Sequence, residues 1–268
     1  MKTWEEYRTS LIKHDKECVL QNRLLVETRQ KELEAWMQKA FAQFAHTISD
    51  KNFPCPFGQK SWAKGSTLFL FVKEPNDFSN LLRGMIEYTN FTKSTPIDNR
   101  ILCPLVVFFC DTGQFARSER YTIAWNTLEW IHIHDPEKWP DEIPDDPDNP
   151  AWCFCFNGVQ LFINMSSGEH KRLRNRNLCD FMTLVINPRE NFDAVASLNT
   201  RQGRLLRENI RRRLEKYNNG FVPPELGFYG EESNKEWKQY QLEEEGMRRP
   251  DRCPFSHVSH SRKQRHAD

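Results

Sequence analysis

The chain has 268 residues, with 38 Lys and Arg against 37 Asp and Glu, a formal charge of +1 and 12% aromatic residues. That balance excludes a bulk electrostatic attraction to nucleic acid, and no stretch approaches the roughly 20 consecutive apolar residues of a membrane span. The length suits one domain with a substantial core, and the opening MKTWEEYRTSLIKHDKE lacks the apolar centre of a signal peptide, so a soluble cytoplasmic chain is expected, its eight cysteines reduced.

In chain order, Leu33, Trp36, Met37, Ala40, Phe41 and Phe44 recur at three- and four-residue steps and predict one long helix over 17–45. A Pro- and Gly-containing loop follows at 52–65, then a strand at 66–72 (STLFLFV) and an amphipathic helix at 76–88 with Phe78, Leu81, Leu82 and Met85 on one face. A buried strand is expected at 102–110. A helix at 118–134 carries the stripe Tyr121, Ala124, Trp125, Leu128 and His132. The proline density of DPEKWPDEIPDDPDNP at 135–150 forbids helix and sheet alike, leaving an extended surface connection.

Residues 152–156 and 159–164 read as a hairpin turned by Asn157-Gly158, a pair that readily adopts positive φ, and 181–186 as the next strand. Helix is expected from Arg189 to Asn199 and again through Leu206, Ile210, Leu214 and Tyr217. The basic, polar residues 247–268 predict a flexible tail. Strands and helices are intermixed and the hairpin must pair antiparallel. The expected class is therefore α+β: a mainly antiparallel sheet of four to six strands flanked by helices, in a single domain over 1–246.

Between the hairpin and the next strand lie His170, Lys171, Arg172, Arg174 and Arg176, more positive charge than a simple connection requires. An acidic group is expected to sit there. Glycine-rich phosphate loops, GxSxG, HExxH and paired CxxC motifs are absent from the sequence, which removes support for kinase, hydrolase and structural-zinc chemistry.

Several segments together resemble the YqcI/YcgG family: FPCPFG at 53–58, Trp125 to the IHIHD ending at Asp135, WCFCFNG at 152–158, RLRNRN at 172–177, INPRENFD at 186–193, LGFYG at 226–230 and Gln239-Tyr240. They keep the family's order and span 53–242. The better understood relatives are haem-dependent oxygenases that N-hydroxylate guanidine groups in natural-product (secondary) metabolism. The resemblance therefore implies haem iron, dioxygen and an external electron donor, because the chain shows no flavin or nicotinamide fingerprint. Relatives of that type often carry a His-Pro step before the basic segment; here SSGEHKRLRNR has Ser166-Ser167 near that place and His170 slightly later.

Haem needs an iron ligand, apolar walls and cations for its propionates. On this reading His170 is the candidate axial ligand, His132 on its apolar helix face the rival, and Cys55 between two prolines the third. Arg172, Arg174 and Arg176 are candidates for the propionates, and Phe154, Phe156 and Phe162 for the walls. A small basic metabolite with a guanidine group would call for a carboxylate, for which Glu119, Glu129 and Asp135 are the candidates on or beside the 118–134 helix. Arg189 is expected to pair with Glu190 or Asp193. Two other readings stand beside the monooxygenase: a non-catalytic haem-binding or sensing protein, and a phosphate or nucleic-acid binding module using the arginine segments.

Overall fold

A computed structural model describes residues 3–13, 18–73, 78–110, 117–197, 199–227 and 229–255. Its elements in order are α1 (Trp4–Lys13), β1 (Gln21–Asn22), α2 (Arg23–Thr28), α3 (Ala35–Ser49), α4 (Pro56–Lys64), β2 (Leu68–Val72), α5 (Ser79–Ser94), α6 (Ile97–Arg100), β3 (Leu105–Phe109), α7 (Arg117–Ile133), β4 (Phe154–Phe156), β5 (Val159–Ser166), β6 (Thr183–Pro188), α8 (Glu190–Ala196), α9 (Arg201–Tyr217) and α10 (Glu236–Tyr240). Short 3-10 turns occupy Gln30–Glu32 and Arg174–Arg176.

The strands form one sheet in the order β1-β2-β3-β6-β5-β4. Only β2 and β3 run parallel among these neighbours, joined by the α5–α6 crossover that a parallel pair requires. The class is thus α+β as expected, with a mixed sheet. Strand β3, LVVFF, is buried along its whole length because both faces are covered. Leu105, Val107 and Phe109 pack with α5, α7 and α10 on one face, while Val106 and Phe108 pack with Phe41, Phe44 and Trp62 of α3 and α4 on the other. At the hairpin tip Asn157 (φ 50°) and Gly158 (φ 68°) take the left-handed conformations the tight turn demands.

Four expectations need correction. The loop expected at 52–65 is mostly helix α4, opened by Pro56 after the Cys55 cap and closed by Gly65 at φ 66°. The long helix over 17–45 is instead β1, α2, a 3-10 turn and α3; Asn22 caps α2 by accepting from Leu25 N at 3.0 Å, and extended backbone at Leu33 and Glu34 separates the turn from α3. Its start at Glu17 lies outside the described residues. The tail does not begin at Met247: Met247 and Phe255 are buried, and Phe255 packs against His132, Trp139, Trp152 and Phe154 at 5.2–6.1 Å between ring centroids. Residues 256–268 lie outside the described residues. The helix expected from Arg189 to Asn199 is shorter, ending at Ala196. No helix among the described residues is long and apolar enough to cross a membrane.

Candidate functional site

The segment joining β5 to β6 folds back on itself before it can present any side chain. Ser167 N donates to Arg176 O at 3.0 Å, and Asn177 Nδ2 donates to the carbonyls of Gly168 (3.0 Å) and His170 (2.9 Å). Gly168 permits this closure: a Cβ there would stand 2.6 Å from Asp180 Cα and 2.7 Å from Cys179 O, inside any tolerable contact. The folded loop drives His170 inward, leaving it 2% exposed.

Two partners meet that imidazole. The Tyr121 hydroxyl of α7 lies 2.6 Å from Nε2, and Glu244 Oε2 lies 3.2 Å from Nδ1. Burial pushes the His170 pKa down to about 4, against the opposing pull of Glu244, so the ring is neutral at pH 7. Burial raises the Tyr121 phenol, which stays protonated. Burial alone would raise Glu244 too, but the backbone amides of Lys171 and Leu173 outweigh it and hold the carboxyl below its ordinary value. Those three protonation states assign the tautomer. Nε2 accepts from Tyr121, and Nδ1 keeps its proton 3.2 Å from the Glu244 carboxylate but not aligned with it as a hydrogen bond.

The acidic occupant expected of the basic loop is therefore one of the chain's own side chains. Glu244 accepts from the amides of Lys171 (2.8 Å), Arg172 (3.1 Å) and Leu173 (2.8 Å), a nest of successive N–H groups suited to an anion. The arginines do not converge. Arg176 turns inward and spends its guanidinium on the carbonyls of Met165 (3.2 Å), Tyr240 (3.1 Å) and Gln239 (2.9 Å); burial lowers its pKa to about 10. Arg172 and Arg174 lie outside, flat on the rings of Phe221 (3.9 Å) and Tyr217 (4.7 Å).

Tyr121 also forms the wall of a 430 Å³ cavity, opposite the segment Gly246–Pro250 and floored by Trp125 and Gln241, whose side chains are joined by a 2.8 Å hydrogen bond. His170 stands behind Tyr121. Among the described residues, none that lines the cavity is a carboxylate. Asp135 instead braces the hairpin turn, accepting from Asn157 N at 2.9 Å. Glu119 is exposed on α7, and the half-buried Glu129 has its pKa raised by burial, away from the cavity lining.

His132 is buried edge-on between Trp139 and Phe255, in an aromatic cluster separate from His170. Cys55 caps α4: its Sγ accepts from Gly58 N at 3.3 Å, and burial pushes its thiol up, disfavouring the thiolate an iron would require. Phe154, Phe156 and Phe162 pack in and against the main core. Arg189 pairs with Glu236 at 2.6 Å, while Glu190 pairs with Arg100. Burial drives Glu236 up to about 7 against the pull of Arg189 and the Tyr240 hydroxyl.

Tyr121, Glu244, Trp125 and Gln241 were not read as site residues from the sequence. Tyr121 and Trp125 carried only the apolar stripe of α7, and Glu244 sits in a Glu243-Glu244-Glu245 run that has the pattern of a solvated surface.

Residues 44–256 match the YqcI/YcgG family model. A Streptomyces lavendulae protein provisionally named N(omega)-hydroxy-L-arginine synthase DcsA is 38% identical over 84% of this chain and 86% of its own length. The uncharacterized proteins YcgG and YqcI of Bacillus subtilis (strain 168) are 32% and 30% identical, over 87% and 88% of this chain and 93% and 94% of theirs. No solved structure gives a significant match.

Proposed function

This chain belongs to the YqcI/YcgG family, and from that footing we propose that it hydroxylates a guanidine nitrogen of a small amino-acid-like metabolite, with haem as cofactor and dioxygen as oxidant. The observation that carries the proposal is the buried, neutral imidazole of His170, set between a carboxylate and a cavity-wall tyrosine.

The donor set fits a haem iron. A neutral imidazole with a carboxylate 3.2 Å from Nδ1 has near it the group that, once aligned, orients a histidine ligand and raises its basicity. His170 would hold the metal through Nε2, and Glu244 would hold the ring. When bound, haem supplies the iron that binds and reduces dioxygen. Nε2 has one lone pair, so holding iron and accepting from Tyr121 are mutually exclusive. Freed from Nε2, the Tyr121 phenol would be a proton donor at the cavity wall.

Trp125 and Gln241 line the cavity where a guanidinium would lie, and the exposed Arg248 at the rim offers a cation for the carboxylate of an amino acid. At 430 Å³ the cavity lies toward the small end of ligand sites, and His170 is screened from it by Tyr121.

A second reading, a non-catalytic haem-binding protein, is favoured by one observation: among the described residues the cavity lining holds no carboxylate to recognise a guanidinium. One experiment separates the two. The haemin-loaded protein is incubated with a reductant, isotopically heavy dioxygen and a panel of guanidine-bearing amino acids, and products are analysed by mass spectrometry. A product carrying one heavy oxygen on nitrogen supports the hydroxylase. Stoichiometric haem with no oxygenated product supports the second reading, and failure to take up haemin overturns both.

A further inference from the structure

The loop that buries His170 has an outer face as well. Lys171, Arg172 and Arg174 are exposed there, and Lys216, also exposed, lies at the end of α9 against which the loop packs. The packing is specific: Arg174 Nη1 donates to Tyr217 O at 3.1 Å, and Asn218 Nδ2 donates to Asn175 Oδ1 at 2.8 Å.

Arg172 and Arg174 are held flat on aromatic rings, and among the described residues neither has a carboxylate partner. A charge run of this kind is usually only a solvated face. This one differs in what lies beneath it. The amides of Lys171, Arg172 and Leu173 grip Glu244, and Glu244 meets His170 at 3.2 Å, so one side chain separates the cationic surface from the buried imidazole. The chain as a whole carries a formal charge of only +1, which makes the patch a local field rather than part of a general one.

We propose that this face docks an acidic one-electron carrier protein of the flavodoxin or ferredoxin class. The inference rests on the N-hydroxylation reading. Placing one atom of dioxygen on the guanidine nitrogen and releasing the other as water consumes two electrons and two protons. The protons come from solvent, and each of two donor encounters supplies one electron while the carrier is oxidised. Four exposed cations around the His170 loop, two of them held over aromatic rings, suit the acidic rim of such a carrier, and electrostatic complementarity of this kind governs encounter rate and orientation. A nucleic acid would call for a longer basic track than one loop and one helix end provide.

The test uses the full chain without cofactor or substrate, and calorimetric titration with oxidised flavodoxin at low and at physiological salt. Binding is expected to weaken as salt rises. Lys171→Glu with Arg172→Glu should lower affinity about tenfold or more. Arg201→Glu with Arg204→Glu makes the same charge change about 18–22 Å from Lys216 along α9, and should have little effect. Both variants are first checked for a wild-type melt.

A chain that binds flavodoxin through this face but forms no hydroxylated product in the haemin-loaded oxygenation assay retires the N-hydroxylation reading and keeps the docking face. No binding at low salt overturns the docking face, as does equal weakening by both reversals. Tighter binding to a single-stranded DNA oligonucleotide than to flavodoxin overturns it too.

Discussion

Replacing Tyr121 by Phe removes one oxygen atom and leaves the ring of α7 in place. The lost hydroxyl is the donor 2.6 Å from His170 Nε2, and the imidazole it leaves behind is 2% exposed. A buried acceptor left without its donor costs about 1–3 kcal/mol. In the cofactor-free protein that cost appears as lost stability, about 2–4 °C in Tm for each kcal/mol in a chain of this size. In the haem-bound state the Tyr121 bond is already broken, so the variant has nothing further to lose. The same 1–3 kcal/mol therefore reappears as tighter haemin binding, about fivefold to a hundredfold. Haemin titration followed in the Soret region, paired with a thermal melt of the unloaded protein, measures both halves. A variant that melts lower yet binds haemin no more tightly than wild type would refute the reasoning, because it would mean that Nε2 is not the atom iron takes.

Acid provides a second test. The folded pKa of His170 lies near 4 against an ordinary 6.5, so as pH falls through that window the unfolded chain takes up a proton that the folded chain refuses. Stability should drop by about 3 kcal/mol across it, and thermal melts of His170→Gln at pH 7 and pH 4.5 should show most of that loss abolished. Gly168→Ala should destabilise by more than about 2 kcal/mol and displace His170, since the added methyl meets backbone at 2.6 Å; an unchanged melt would contradict the close approach. Glu244→Gln keeps the shape but withdraws the charge from three amides, and should cost about 1–3 kcal/mol in chemical denaturation. Arg172→Ala should leave haemin affinity within about twofold, because its guanidinium stands on Phe221 outside the cavity, whereas a tenfold loss would place it at a propionate.

Local chemistry carried much of the fold into the sequence. Asn157-Gly158 announces its turn because few other pairs tolerate two positive φ angles, and β3 reads as buried because five successive apolar residues need cover on both faces. The 17–45 helix failed for the complementary reason. Its apolar spacing continues only within α3, and the breaks before it are made by the Asn22 cap and the extended turn at Leu33, which periodicity does not register.

At the site, the loop's demand for an acid was legible but its source was not. Glu244 arrives from 73 residues beyond Lys171, in a run of three glutamates of which nothing local marks one for burial. Tyr121 posed the same difficulty: helical spacing places it on the inner face of α7 and says nothing of the imidazole across from it, 49 residues away. The three arginines of the loop look equivalent in sequence, yet only Arg176 points inward, because the 3-10 turn at Arg174–Arg176 rotates it toward the end of α10.

The most direct measurement is the absorption spectrum of haemin-loaded protein, oxidised and as the reduced carbon monoxide complex, for wild type, His170→Ala and His132→Ala side by side. The account predicts a stoichiometric Soret band of histidine-ligated type in wild type and His132→Ala, and its loss or displacement in His170→Ala alone. A band that survives His170→Ala and disappears in His132→Ala, or a thiolate-type carbonyl spectrum, would contradict it.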